Sequence, residues 1–437
     1  ALLRVPDVET QDRLIAEKIQ SGNWAAHKGH SDSLFVNAST WALMLTGDVI
    51  KLDKKITRNP GQWVKSLVAR TGEPVIRTAV NQAMKIMGRQ FVFGRDIKEG
   101  LARQAKQPAA HKMMSFDMLG EGARTMATAR RYHDLYRASI DAVGASTRGD
   151  GDDPHDRSSV SIKLSALHPR YEETSDARVM SEMLPMVKEL ALLAKSYDIQ
   201  MTIDAEEADR LDIQLRIFEK LAEDPDLDGW EGLGLAVQAY QKRAPHVIDW
   251  LVHLGRDTGR KFAVRLVKGA YWDTEIKHAQ ELGLADYPVY TRKPATDICY
   301  LYTAARMLEA QDAIYPQFAT HNAHTIAAIA AMAGDKRYEF QKLHGMGALL
   351  YKAAGMTLGR TIRTRTYAPV GLHEDLLPYL VRRLLENGAN SSFVNRFLDA
   401  LVPVEDVAGD PVTAIERAPA LRHTLIPTPD NIYGPDR

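Results

Sequence analysis

An arginine and a lysine three residues apart, at the end of an apolar run, form the chemical centre of this sequence. In FAVRLVKGAYWD, residues 262–273, Arg265 and Lys268 precede Gly269, Ala270, Tyr271 and Trp272. Phe262, Val264 and Leu266 alternate with Ala263, Arg265 and Val267, which is the period of a strand. A buried strand tolerates such cations only where they meet something anionic or electron-rich, because an unpaired buried charge is costly. Either the two pair with carboxylates at a barrel rim, or they line a site. Other strand-like runs finish in comparable residues: Asp117 and Glu121, Lys163, Asp204, Gln238, Thr320 and His321, His344, and Tyr367. The set is rich in cations and hydrogen-bond donors, with one prominent carboxylate at the third run. It suits an anionic ligand better than it suits the paired carboxylates of a glycosidase.

A late helix extends the set. In DLLPYLVRRLLENGAN, Leu376, Leu377, Leu380, Val381, Leu384 and Leu385 make an apolar face, while Tyr379, Arg382, Arg383 and Glu386 make a polar stripe. Facing a site, the two guanidiniums would clamp a carboxylate through bidentate hydrogen bonds. Facing solvent, the stripe would hold an Arg382–Glu386 ion pair within the helix. Asp204 with Glu206 and Glu207 could equally cap a helix. His321 and His324 stand one helical turn apart, which allows metal ligation or capping. Cys299 reads as a small buried hydrophobe. No GxGxxG follows a strand and no phosphate-loop signature is present, so a dinucleotide would be held without a Rossmann unit.

Eight strand-like runs position these residues. They begin near 114, 160, 199, 233, 262, 314, 338 and 363, and helix-length amphipathic stretches separate them. That alternation predicts an α/β fold, a (β/α)8 TIM-type barrel whose active site lies at the carboxyl ends of the strands. Repeats of 30 to 50 residues would also fit a solenoid, but the segments share no signature. Residues 1–112 read as an α-helical arm and subdomain, 113–397 as the barrel, and 398–437, rich in proline, as a linker or tail. The Gly/Asp/Ser-rich stretch at 146–159 reads as an exposed loop.

The 437 residues carry 56 Lys+Arg and 56 Asp+Glu, so the net charge exerts no general pull toward nucleic acid. A lone cysteine excludes an internal disulfide and fits a reducing, cytoplasmic setting. No apolar run reaches the length of a membrane span, and no leader follows Ala1. The first residue and the abrupt end at Arg437 suggest a piece of a longer protein.

Long motifs in order, among them SIKLSALHPRY, DAEEADRL, VQAYQKR, VRLVKGAYWD, YPQFATHNAHT, YEFQKLHGMG and YAPVGLHEDLLPYLVRRLLENGANSSFVNR, closely resemble the proline dehydrogenase part of the bifunctional bacterial proline utilization A flavoenzymes. The likeness extends into the amino-terminal helices. It implies noncovalent FAD and oxidation of L-proline to Δ1-pyrroline-5-carboxylate, the first step of proline catabolism, by hydride transfer from C5 to flavin N5. It further implies electrons passed to a quinone at the membrane surface, and so peripheral membrane contact. By resemblance Lys163, Arg382 and Arg383 clamp the proline carboxylate, while Tyr367, Tyr379 and Leu343 wall the substrate. Arg265 lies near N5, and Asp204 and Tyr271 belong to the same catalytic set. Gln238, Val267, Lys268, Gly269, Ala270 and Trp272, with Asp204, contact the flavin. Thr291, Arg292, Lys293, Thr320, His321 and Asn322 hold the rest of FAD, and Glu386 supports the arginine helix.

No ribbon-helix-helix segment is recognised at the amino terminus, so no nucleic-acid partner is expected. Relatives continue into an aldehyde-dehydrogenase domain beyond the end of this chain. One rival reading is a metal-dependent barrel hydrolase using Asp204, His321, His324 and His344; another is a docking module whose barrel has lost activity.

Overall fold

The computed structural model describes residues 91–106, 112–147, 151, 153–372, 379, 382, 383, 409–432 and 434. The helices read between residues 1 and 90, and Glu386, lie outside the described residues.

All eight expected strands form: β1 (Met114–Met118), β2 (Ser159–Ile162), β3 (Met201–Ile203), β4 (Leu233–Gln238), β5 (Phe262–Val267), β6 (Ile314–Ala319), β7 (Glu339–Leu343) and β8 (Thr364–Val370). Every neighbouring pair is parallel, and β1 pairs with β8 through Ser115 opposite Tyr367, which closes the barrel. The described helices are α1 (Ile97–Lys106), α2 (Met126–Ser146), α3 (Asp176–Glu182), α4 (Leu184–Ser196), α5 (Leu211–Ala222), α6 (Ala244–Thr258), α7 (Trp272–Leu282), α8 (Lys293–Glu309), α9 (Ala323–Ala333), α10 (Ala348–Leu358) and α11 (Pro411–Glu416).

Strand alternation divides the side chains into two sets. Phe116, Val160, Ile162, Ile203, Leu235, Val237, Val264, Leu266, Phe318 and Phe340 enter the hydrophobic core with the helices. The alternate set fills the barrel and is largely polar, so its groups must bond one another. At the floor Arg365 and Glu339, both fully buried, make a two-pronged ion pair at 2.7 and 3.1 Å. Gln317 donates to Glu339 at 3.0 Å and to Gln200 at 2.8 Å.

The stretch read as an exposed loop before β2 is pinned to this floor in its described part. His155 is buried and stacked on Tyr315 with ring centroids 3.9 Å apart, while Asp153 and Asp156 pair with Arg337 and Arg363. Gly and Asp content signals a turn, but the tertiary cations that hold the turn are far away in sequence.

Two boundaries differ from the sequence reading. The compact unit containing the barrel runs from Phe93 to Arg437, so the break falls before Phe93 and not at residue 113. Phe93 donates its N–H to Pro369 O at 2.7 Å, and α1 follows directly. An amphipathic helix reads the same whichever body it packs on. The residues expected to form a linker also pack in their described part. Tyr287 donates to Pro427 O at 2.9 Å, His423 N–H donates to Thr291 Oγ1 at 3.0 Å, and Ile426 joins the cluster of Tyr240, Tyr287 and Val289.

Candidate active site

The strand ends build one buried electrostatic cluster. Lys163 follows β2 and donates to Asp117 Oδ1 at 2.6 Å, Asp204 Oδ2 at 3.3 Å and Tyr367 OH at 3.5 Å. Tyr367, in β8, donates to Asp204 Oδ2 at 2.7 Å. Arg265, in β5, donates Nη1–H to Asp204 Oδ1 at 2.5 Å, Nε–H to Gln341 at 2.6 Å, and Nη2–H to Ser115 and Ser161 at 2.9 Å each. Its guanidinium lies 5.2 Å from the centre of the Tyr367 ring, within cation–π range.

Two cations face two carboxylates in this buried cluster, and such pairing is the condition for burying any of them. Burial pushes Asp117 up, and the Lys163 charge does not offset it. Burial acts the same way on Asp204, but Lys163, Arg265 and the Tyr367 hydroxyl overcome it and hold that carboxyl below its ordinary value. Of the two carboxylates, Asp204 is the one whose charged form the cluster favours more strongly. Lys163 is held well above the usual lysine value, since Asp117, Tyr367 and Asp204 outweigh its burial.

The late arginines stand over a second part of the mouth. Arg382 makes a bidentate pair with Glu121 at 2.5 and 2.8 Å, and its guanidinium lies 5.3 Å from the centre of the Tyr271 ring. The Arg382 bond outweighs burial and lowers the Glu121 carboxyl. The in-helix partner expected for Arg382, Glu386, lies outside the described residues, and the tertiary contact with Glu121 supplies the carboxylate. Arg383 lies 5.5 Å from the centre of the Tyr379 ring. Leu343 ends β7, beside Tyr367 in the ladder. A cavity of about 490 Å³ lined by Gly122, Ser165, Tyr171 and Arg210 opens nearby, and neither Lys163 nor Arg265 lines it.

Beyond β5 the chain makes a different surface. Gln238, the last residue of β4, donates to Glu206 O at 2.7 Å and accepts from Ala270 N–H at 3.4 Å. Gly269 has φ +142°, and an added Cβ would lie 2.4 Å from Tyr240 Cγ; only glycine lets this backbone lie flat on that ring. Tyr271 stands at the N-cap position of α7, and Trp272 opens the helix, donating to Tyr290 O at 2.9 Å. Lys268 pairs with Asp297 of α8, whose other oxygen takes Lys293 at 2.6 Å. Arg292 is the N-cap of α8, and its side chain makes no capping bond to the first-turn amides. Two lysines beside an uncapped helix amino terminus form a donor set that fits a phosphate-bearing cofactor.

Thr291 and Arg292 meet the carboxyl-terminal segment, Arg292 Nε–H donating to Arg422 O at 3.1 Å. Thr320 accepts from Asn322 N–H at 3.1 Å, and Asn322 caps α9 through Thr325 N–H. His321 Nε2 accepts from Leu343 N–H at 3.1 Å. The alternative metal set of Asp204, His321, His324 and His344 is not assembled: among the described residues no group of three His, Cys, Asp or Glu is placed to hold an ion. Cys299 is buried, as expected.

Sequence reasoning missed the residues that hold the catalytic candidates: Ser115, Ser161 and Gln341 around Arg265, and Asp297 between two lysines. It noted Asp117 and Glu121 at a strand end without assigning their partners. The available signal was period-two polarity within otherwise apolar strands, as in Ser115–Asp117, Ser161–Lys163 and Glu339–Gln341.

Residues 101–396 match the protein-family profile described as Proline dehydrogenase. Residues 1–91 match one described as DNA-binding domain of Proline dehydrogenase. The chain is 50% identical over 455 aligned positions to Bifunctional protein PutA of Escherichia coli and 50% identical over 443 to that of Rhizobium meliloti. The whole of this chain is covered, but it spans only 34% and 35% of those proteins. A crystal structure of a proline utilization A (PutA) mutant of Bradyrhizobium japonicum is similar at 48% identity and a TM-score of 0.77, covering 100% of this chain and 44% of that one. The match at residues 1–91 overturns the expectation of no nucleic-acid partner. That expectation leaned partly on a net charge of zero, which averages over the chain and says nothing of one part.

Proposed function

The chain belongs to the proline dehydrogenase family, and from that premise we propose that it oxidises L-proline to Δ1-pyrroline-5-carboxylate with FAD as cofactor, in the proline catabolism of a longer protein. The observation that carries the reading is the buried cluster of Lys163, Asp204, Tyr367 and Arg265 at the strand ends, with Arg382 poised beside Tyr271.

Lys163, Arg382 and Arg383 take the proline carboxylate. Arg382 already holds a carboxylate, that of Glu121, so substrate entry exchanges one anion for another at a preformed bidentate site. Tyr367, Tyr379 and Leu343 wall the pyrrolidine ring. Arg265 has its orientation set by four partners and supplies a fixed positive charge next to the reacting ring. Asp204 accepts from Arg265, Lys163 and Tyr367 and orients all three. Being held ionised by those bonds, it is a poor receiver of the amine proton, which leaves to solvent.

FAD, when bound, supplies the acceptor for the hydride lost from C5 and passes both electrons to a quinone. Loss of that hydride and of the proton on nitrogen leaves the C5=N double bond of the product. Gln238, Val267, Lys268, Gly269, Ala270 and Trp272 would hold its ring system, and Thr291, Arg292, Lys293, Thr320, His321 and Asn322 its ribityl, phosphate and adenosine parts, with Glu386 supporting the arginine helix. Quinone use brings the protein to a membrane surface from the cytoplasm. No helix among the described residues is long and apolar enough to cross a membrane. For residues 1–91, DNA is the partner suggested by the profile match.

The visible spectrum of the purified chain, recorded anaerobically before and after L-proline, tests the reading. A flavin band that proline bleaches is expected. A flavin band that only dithionite bleaches would overturn the substrate, and no flavin band after incubation with FAD would overturn the cofactor.

A further inference from the structure

Asp297 has no role in the reading above, yet it sits between two residues assigned to the cofactor. It lies in the second turn of α8, one oxygen on the Lys268 ammonium and the other 2.6 Å from Lys293 Nζ. The three side chains are graded in burial: Lys293 is the most exposed at 39%, Lys268 is 25% exposed and Asp297 14%. Lys268 is further boxed by the Tyr300 ring, 5.9 Å from its nitrogen, and the Tyr300 hydroxyl is tied to Leu266 O and Ala319 O at 3.1 Å each. Lys268 thus sits at the carboxyl end of β5 with one carboxylate partner and one neighbouring cation.

We propose that Asp297 is a positioning residue of the cofactor site, fixing the Lys268 and Lys293 ammonium groups where the anionic parts of FAD bind. The inference rests on the FAD reading of the previous subsection. Two ammonium groups this close repel unless an anion lies between them, and Asp297 is that anion. The groups facing Lys268 agree with the role: burial lowers its pKa, Asp297 opposes that, and Lys293 adds to it. Asp297 itself is held below its ordinary value, both lysines together overcoming its burial. Without the carboxylate, Lys268 would lose its proton at lower pH. The positive charge that favours the reduced, more negative flavin would then fade as pH rises.

The test is the flavin midpoint potential and the FAD dissociation constant of Asp297→Asn, Asp297→Glu and Lys268→Met holoprotein, measured between about pH 6 and pH 9. Asp297→Asn should bind FAD about tenfold more weakly and show a more negative potential than the parent, the gap widening with pH. Asp297→Glu should restore most of both. Lys268→Met should shift the potential in the same direction with no added pH dependence. An Asp297→Asn protein with the parent's dissociation constant and potential across this range would overturn the role of Asp297 alone. If that variant does not fold, Lys268→Met with an unshifted potential overturns it equally. A parent chain that takes up no FAD would overturn the flavoenzyme reading and this inference with it.

Discussion

Arg382 shows how one residue changes meaning between the chain and the folded molecule. Its spacing from Glu386, a residue outside the described ones, suggests an in-helix ion pair, and in the folded molecule its guanidinium is held by Glu121 from the loop after β1. The geometry of that pair is what a carboxylate clamp requires. Arg382→Met and Arg383→Met should each raise the apparent KM for proline and lower kcat/KM. A buried charge-assisted bond contributes about 1.5–3 kcal/mol, equivalent to about 10- to 100-fold, and flavin content should stay unchanged. Steady-state kinetics with a flavin absorbance ratio checks this, and unaltered proline kinetics in both variants would remove the clamp. Lys163, Arg265 and Tyr367 were legible as candidates because cations and phenols at strand ends stand out against apolar runs, and Tyr379 and Arg382 because they share the polar stripe of a late helix. The serines and glutamine around Arg265 were not, since neutral polar residues inside a strand look alike until the strands are paired.

At the scale of elements, β7 and β8 contribute more than their share of the barrel. Their inward residues Glu339, Gln341, Arg365 and Tyr367 belong in turn to the polar floor and to the mouth, so one ladder links stability to chemistry. Glu339 is opposed by burial, but Arg365 prevails and holds its carboxyl below the ordinary glutamate value. A depressed pKa gives stability that is complete above the unfolded value and is lost as pH falls through the folded one. The parent should therefore lose stability on that acid limb. Glu339→Gln should flatten it while costing about 3–5 kcal/mol near neutrality, because Arg365 is left buried and unpaired. Denaturant unfolding at pH 7 and near pH 4 measures both effects. Equal stability of variant and parent at pH 7 would mean the floor pair is replaceable by a neutral hydrogen bond.

Across the whole molecule, the residues beyond the barrel strands are also part of the site's frame. The described carboxyl-terminal segment bonds to Thr291, Arg292 and Tyr287 and packs Ile426 against the apolar cluster that includes Tyr240, the ring under Gly269. Ile426→Asp puts a charge into that apolar cluster at a cost of about 1–3 kcal/mol. It should expose residues 409–432 to limited proteolysis and speed FAD loss while the barrel's main thermal transition stays close to the parent's. A digestion pattern identical to the parent's would show that the backbone hydrogen bonds alone hold the segment.

Hydrophobic period decided much by itself: eight strands, the helices between them and their order can be read from FAVRLV, LGLAVQ and their counterparts, because side-chain alternation is a local property. The same runs located Lys163, Asp204, Arg265 and Tyr367 at strand ends. Which partners most of these cations take was decided only by closure of the barrel, which brings Asp117, Glu121, Ser115 and Gln341 within bonding distance from strands and loops as many as 261 residues away. Ion pairing depends on distance and burial in three dimensions. Neither is written in the spacing of residues along one chain.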